Sequence, residues 1–417
     1  MKILFVHQNF PGQYVHLAGA LARQGGHELV ALVLAKPGKT PPRMAGVRVV
    51  AYSTRRSSSR EIHPWAADLE SKVIRGEACA AAVEQLRSEG FLPDVICAHA
   101  GWGESLFLKD VLPGVPLLTY QEFYYRSRSM DLDFDPEFQE PPDWQHCARS
   151  RMKTANPLLN LSASDWNVTP TQFQRSTFPP QWQSRMSVIH DGIDLAAVER
   201  CSGVAELALP DGTLLRAGDP VVTFVNRRLE PYRGCHTFLR AIPAIQERQP
   251  QARIVIVGDT KGVSYGSACP QGEWKDVFLQ EIEGRYDPAR VHFTERLPHD
   301  TLRKLFRLSA VHVYLTYPFV LSWSLLEALA SGCAVVGSAT APVQEVIEDG
   351  HNGLLVDFFR PLDLAEAVAD LLGHPEQRTS LGEAARATAS GYGLARCLPR
   401  QLALIALVAG RGLGEAG

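Results

Sequence analysis

Apolar positions along the chain gather into short runs, and the stretches between them carry apolar residues at helical spacing. In the first half the runs are KILFVH, HELVALVL, GVRVVAYS, DVICAHA, PLLTYQEF, NVTP and SVIH. Between the first two, Tyr14, Leu17, Ala18 and Leu21 lie at i, i+3, i+4 and i+7, one stripe on one face of a helix. After VIHDGID an acidic, weakly periodic stretch to about Pro220 reads as a connection. The alternation then restarts with PVVTFVN, RIVIVGD, RVHFTE, VHVYLTY, CAVVGSA and GLLVDF, separated by helices predicted near 234–248, 273–284, 299–308, 323–331 and 361–372. A tail helix is expected to begin at Pro399, a favoured first-turn residue, to carry Leu398, Leu402 and Ile405 on one side, and to stop at Gly410.

Strands alternating with helices over the whole chain predict an α/β protein with parallel sheets covered by helices. A length of 417 residues exceeds what one core sustains, so two doubly wound domains are expected, 1–192 and 193–395, with a terminal helix over 396–417. In such sheets ligands bind beyond the carboxyl ends of the strands, and a cleft between two facing domains is the default site.

Charge and composition narrow the class. The net charge is −3, with 20 basic against 18 acidic residues over 1–190 and 22 against 27 in the rest, so no basic excess points to nucleic acid. The eight cysteines are dispersed without ligand spacing, which fits a reducing cytoplasm and no structural zinc. The opening MKILFVHQNF lacks the features of a signal peptide, and the apolar LPRQLALIALVAG is too short to cross a bilayer. Asn160 and Asn167 then read as chance glycosylation patterns. Arg55, Arg56 and Arg60 read as a solvated loop, with peripheral contact to an anionic membrane surface as the other option.

No G-x-G-x-x-G follows an early strand and no phosphate-loop motif occurs, which disfavours ordinary NAD enzymes and ATPases; GRGLG at 410–414 reads as a tail. Asp131, Asp133 and Asp135 have calcium-loop spacing, but Pro136 and Pro142 stand where glycine and glutamate are needed, so a solvated loop touching a hydroxyl-rich ligand is expected. In FVNRRLEPYRGC, Arg227, Arg228 and Arg233 converge with a helix start at a strand end, an anion site suited to a diphosphate. Consecutive residues in extended chain point opposite ways, so one of Arg227 and Arg228 faces the ligand; the competing reading pairs the arginines with Glu230. In FPGQY, Gly12 lets backbone approach an anion or sugar. Glu327 is either the carboxylate of an S-x-x-E capping box begun by Ser324 or, if Ser322 is the cap, a deeper residue facing a ligand. His99 ends the fourth strand, and His190 lies at the expected domain crossing.

These stretches, together with VIHDGID, IVGD, VHFTERLPHDTL and LLEALASGCAVVGSATAPVQEVIEDGHNGLLVD, resemble the retaining glycosyltransferases of family 4 along nearly the whole chain. The resemblance implies the GT-B fold: two Rossmann-like doubly wound parallel-sheet domains facing a central cleft, the terminal helix crossing back to the first. It implies a nucleotide-sugar donor, UDP- or GDP-linked, on the second domain and a hydroxyl acceptor on the first, with no metal or other cofactor. Arg228 or Arg227 and Arg233 would grip the diphosphate and Glu327 the ribose. Arg296 and Leu297 would flank the base, and His99 would lie beside the transferred sugar. Gly12, Gly258, Phe319, Val320, Leu321 and Ser322 complete the expected donor site, with Glu345 behind the phosphates. Gln13, His99, Tyr125 and Asp133 form the expected acceptor site, and Arg228, Arg233 and His99 are the catalytic candidates. Three positions depart from the family: Phe319 replaces a glutamate that commonly holds sugar hydroxyls, Arg233 replaces a lysine, and the first loop keeps one glycine. A nucleotide-sugar sensor without transfer, or an epimerase of the same fold, are the alternatives.

Overall fold

The computed structural model describes residues 1–139 and 143–410, so Pro142 and all but the first residue of GRGLG lie outside the described residues. The chain divides into two compact units. One comprises Met1–Asp133, Glu140–Gly192 and Leu394–Gly417; the other comprises Phe134–Gln139 and Ile193–Gly393.

The first unit is built on seven strands: β1 (Lys2–Val6), β2 (Glu28–Leu34), β3 (Arg48–Tyr52), β4 (Val95–His99), β5 (Leu117–Tyr120), β6 (Trp166–Thr169) and β7 (Met186–Val188). All pair in parallel, in the order β3-β2-β1-β4-β5-β6-β7. β1 and β4 are apolar almost throughout because both faces of a central parallel strand are covered. One face buries the predicted Leu17, Ala18 and Leu21 stripe, together with Leu404 and Ile405 of the tail helix. The other buries Cys79, Val83 and Leu86 of helix Ala67–Ser88. The strand order reverses between β1 and β4, so the loops after these two strands part and leave a crevice above the sheet.

The tail helix runs Leu394–Val408 with Pro399 inside it, rather than starting there. The interior proline forfeits a helix hydrogen bond. Packing holds the helix nonetheless: Arg400 donates to the Val188 carbonyl at 2.9 Å, Gln401 to the His190 carbonyl at 2.9 Å, and Ile405 is buried.

The second unit carries β10 (Val221–Arg228), β11 (Arg253–Asp259), β12 (Val291–Thr294), β13 (Val311–Tyr314), β14 (Ala334–Ser338) and β15 (Leu354–Val356), in the order β12-β11-β10-β13-β14-β15. These too pair in parallel, and the reversal falls between β10 and β13. The stretch expected to be a bare connection holds a helix, Leu195–Glu199, and a hairpin of β8 (Glu206–Ala208) and β9 (Leu214–Arg216). Strands of three residues are too short to display alternation, which is why the pattern hid them.

A larger correction concerns MDLDFDPEF. Instead of a solvated loop, its second half belongs to the second unit as a strap. Phe134 packs on Tyr317, Phe358 and Phe359, while Phe138 packs on His236, Trp274 and Phe278. Asp135 is buried, accepts from the Tyr317 hydroxyl at 2.8 Å and sits 3.2 Å from His236 Nε2. Phenylalanines alternating with acids were the overlooked signal. No described helix is long and apolar enough to cross a membrane.

Candidate functional site

In the second unit β10 ends at Arg228 and a single turn, Pro231–Arg233, leads through Gly234 into helix Cys235–Arg248. Gly234 has φ +68°, and a Cβ there would lie 2.4 Å from that of Leu315, so the turn needs glycine. The turn drives Arg233 inward until only 8% of it is exposed. Its Nη1 donates to Thr316 Oγ1 at 2.8 Å and to the Val320 carbonyl at 2.9 Å, both in the segment after β13. Its guanidinium lies 5.5 Å from the Tyr265 ring centre and 5.6 Å from that of Phe319. Tyr232 meets Phe319 edge-on and Tyr265 tilted, closing an aromatic collar around one cation.

Arg227 is exposed and Arg228 half-buried, with the Arg228 guanidinium turned onto the Lys261 carbonyl. Glu230 pairs with neither. It is buried and accepts the N–H groups of Ser264 and Tyr265, so it pins the loop that brings Tyr265 over Arg233, and burial pushes its carboxyl pKa upward. The reading of surface arginines paired with Glu230 is thereby corrected.

The structure removes the capping-box role from Glu327. Ser322 is the cap of helix Trp323–Ser331, its hydroxyl accepting from Ser324 N–H at 3.3 Å. Glu327 therefore lies in the helix interior, buried, with His299 Nδ1 and Arg303 Nε each 3.7 Å from Oε1. Burial raises its pKa against the pull of these two neighbours. Arg303 Nε is buried without a hydrogen-bond partner, so the pair is close without being bonded. Of the other residues expected around a donor, Arg296 is exposed and ion-pairs with Asp259 at 3.2 Å, Leu297 packs on the core, and Gly258 backs onto the Asn226 carbonyl. Phe319 and Leu321 are buried, and Ser322 N–H donates to the Tyr314 hydroxyl at 2.8 Å. Glu345 is half-buried at the end of helix Ala341–Gln344.

In the first unit the loops after β1, β4 and β5 bring together His7, Gln13, His99, Trp102 and Glu122. His7 Nε2 is 2.6 Å from Gln13 Oε1, and Gln13 Nε2 lies 3.4 Å from Glu122 Oε1. His99 is fully buried, stacked on Trp102 at 4.1 Å and Tyr120 at 5.2 Å, with Nε2 4.0 Å from Glu122 Oε2. Burial holds the His7 pKa down to about 4 and that of His99 well below the ordinary range, so both rings are neutral at pH 7. Gly12, at φ +46°, faces the His7 ring, where a Cβ would sit 2.2 Å from Cε1. Its glycine is thus required by a neighbouring side chain, whatever ligand comes near. Asp133 does not stand open to a ligand: it accepts from Ser129 and Met130 N–H groups and closes its own turn. Tyr125 lies under the Lys153 ammonium, 5.4 Å from its ring centre. His190 is buried and accepts from Gly192 N–H at 3.0 Å.

Among the described residues, Asp135, Glu137 and His236 are the one grouping with metal-ligand reach, their ligand atoms lying within 4.8 Å of one another. Those atoms are already engaged, Asp135 by Tyr317 and His236, and Glu137 by a two-pronged pair with Arg240.

Residues 25–198 match the Glycosyl transferase family 4 group, and residues 209–388 match Glycosyl transferases group 1. The chain belongs to the family 4, group 1 glycosyltransferases. A D-inositol 3-phosphate glycosyltransferase of Kribbella flavida is 28% identical over 320 residues, 74% of this chain and 70% of that protein. The Streptomyces scabiei protein of the same description is 27% identical over 216 residues, 50% of this chain, so the match spans about half of that relative, 46%. Two solved structures share the GT-B fold. Anabaena HepE in complex with UDP-glucose has a TM-score of 0.64 at 17% identity, covering 96% of this chain and 98% of that one. Sucrose-phosphate synthase from Thermosynechococcus elongatus has a TM-score of 0.69 at 15% identity, covering 98% and 99%.

Of the residues that the sequence reading singled out in this glycosyltransferase, Arg233, Glu327 and Gln13 lie in the turn or helix following a strand, and His99 is the last residue of β4. The reading missed Glu122, Tyr265 and His7. Glu122 directly follows the strand-like run ending in Tyr120, and its place at a carboxyl strand end was the available signal. Tyr265 lies in a loop far along the chain from Arg233, and no local pattern ties the two together.

Proposed function

We propose that this protein transfers a sugar, with retention of configuration and without a metal, from a nucleoside-diphosphate sugar to a hydroxyl acceptor. The observation that carries the reading is Arg233, whose guanidinium is held nearly buried at a strand end by Thr316, the Val320 carbonyl and two aromatic rings, Tyr265 and Phe319. Negative charge gathers on the departing diphosphate in the transition state. A cation fixed in a poorly solvated place lowers that cost more than mobile water does. Arg228, on the exposed rim of the same strand end, supplies a second guanidinium once it swings from Lys261. With the charge met by guanidinium groups the chemistry has no need of a metal. On a same-face path the leaving phosphate itself takes the acceptor's proton, which explains why no enzymic base is required. Glu327, interior to its helix, holds the ribose hydroxyls.

UDP is the first nucleotide to try, since HepE binds UDP-glucose on this fold, and GDP the second. The acceptor is a sugar or polyol hydroxyl, in keeping with the inositol-phosphate relatives. The test is a thermal-shift panel of UDP, GDP, ADP, TDP and CMP compounds, followed by assay of donor consumption. One nucleoside diphosphate should raise the melting temperature specifically, and an unmoved melting temperature across the panel overturns the reading. Phe319 favours one alternative, a nucleotide-sugar sensor, because a buried ring cannot bond a sugar hydroxyl. Calorimetric binding of the donor with neither transfer nor hydrolysis across many acceptors would establish that instead.

A further inference from the structure

The strap is chain that leaves the first unit at Asp133, docks within the second over Phe134–Gln139 and rejoins the first at Glu140. Ordering such an excursion costs backbone entropy, so its seat must supply contacts that offset the cost. Phe134 and Phe138 supply the apolar ones, and Glu137 adds its pair with Arg240. Between the two phenylalanines, a single carboxylate oxygen joins two segments of the second unit. Asp135 Oδ2 accepts from the Tyr317 hydroxyl at 2.8 Å and lies 3.2 Å from His236 Nε2. Tyr317 directly follows Thr316, the side chain that holds Arg233, and His236 is the third residue after Arg233, in the helix that the turn opens. Asp135 therefore ties the same two stretches that the Arg233–Thr316 hydrogen bond ties. Tyr317 carries the connection further. Its N–H donates to the Tyr232 carbonyl at 3.0 Å, and its ring lies 4.6 Å from that of Tyr232, the collar residue next to Arg233. Tyr317 is buried, so removing Asp135 leaves its hydroxyl unpaired where water does not reach.

We propose that Asp135 is a positioning residue for the cation that meets the diphosphate: the docked strap sets Tyr317 and, through it, Thr316 and Tyr232, so strap docking and nucleotide binding favour each other. The proposal rests on the glycosyltransferase reading and adds to it residues outside the Arg233 collar. Linkage makes the coupling reciprocal. A strap that raises nucleotide affinity when docked is itself held down by bound nucleotide, and by the same factor.

The test reads both directions on the full chain, with UDP or whichever nucleoside diphosphate the thermal-shift panel selects. By calorimetry, affinity should fall about tenfold in Asp135→Ala and in Tyr317→Phe. The double variant should lose no more than the worse single one, because both changes remove the same hydrogen bond. Asp135→Asn, which keeps an oxygen for the Tyr317 hydroxyl, should recover most of the loss. In the wild-type chain, saturating nucleotide should slow cutting by endoproteinase Glu-C after Glu137 about tenfold, with the fragments identified by mass. Cutting after Glu283, in an exposed turn of the same unit, should be unchanged. Unchanged affinities, losses that simply multiply, or equal slowing at Glu137 and Glu283 overturn the proposal, as does either effect without the other. If Asp135→Ala does not fold, Tyr317→Phe, which loses a single oxygen, and the cutting of the wild-type chain decide the matter. Absence of any nucleotide binding by the wild-type protein instead overturns the parent reading.

Discussion

The ends of β1, β4 and β5 and the loops after them in the first unit hold two uncharged rings, each accepting a main-chain N–H at Nδ1, with the amide of Gln13 and the acidic side chain of Glu122. In the second unit the loops after β10 and β13 hold a permanent cation wrapped in aromatic rings. Both are polar clusters at a strand-order reversal, yet the first combines directed hydrogen bonds with one acidic side chain, Glu122, and the second presents a cation with little choice of direction. The difference matches the chemistry each can meet: a neutral hydroxyl needs aligned donors and acceptors, and a diphosphate needs charge. It also means that the two clusters should fail under different insults.

The largest effect should come from Arg233→Ala, with turnover falling by about a hundredfold or more and nucleoside diphosphate affinity falling with it, measured by steady-state kinetics and calorimetry. Arg233→Lys, which keeps the charge and loses the planar guanidinium whose Nη1 reaches both Thr316 and Val320, should recover part of the loss.

Next, Gly12→Ala combines a left-handed backbone with a Cβ 2.2 Å from His7 Cε1. It should cost roughly 2–3 kcal/mol in urea unfolding and disturb the first cluster while UDP affinity holds. Lost UDP affinity there would show that the two clusters are not separable.

Acid comes third. His7 is held at about 4, His190 at about 4 and His312 at about 3, with His99 well below its ordinary 6.5, each because burial disfavours the charged ring. All four bind protons more readily unfolded than folded, so stability is full above about pH 6.5 and falls as pH drops toward 4, by roughly 1 kcal/mol per histidine per pH unit. Three of the four lie in the first unit, and hydrogen exchange at pH 5 should loosen that unit before the second.

Smallest is Phe319→Leu, which removes one ring from the Arg233 collar and should cost about 1 kcal/mol of stability. The substitution should change turnover less than tenfold, and a hundredfold loss would mean that the ring itself handles the sugar.

The strands were readable because a buried parallel strand must be apolar almost throughout, and every expected run overlaps an observed strand. Helix spacing placed the Leu17 stripe for the same reason. The short hairpin at 206–216 and the strap at 134–139 escaped, the first for lack of length and the second because its acids mask the phenylalanines that dock it. Motif positions picked out Arg233 in the turn after a strand, Glu327 in a helix and His99 at a strand end. Yet the sequence left open which serine caps the helix bearing Glu327 and whether Glu230 pairs with the arginines, since each question turns on where neighbouring side chains lie. Ser322 and the Ser264–Tyr265 amides answered them.

By itself the amino-acid order determined two α/β halves, the loops that carry chemistry and the charge available in them, because periodicity and residue type are local properties. Only the tertiary structure decided that Glu122 meets His99, that Tyr265 and Phe319 enclose Arg233, and which nitrogen of each histidine carries its proton. Those outcomes depend on contacts between residues far apart in the chain and on burial, and neither is written in any short stretch of sequence.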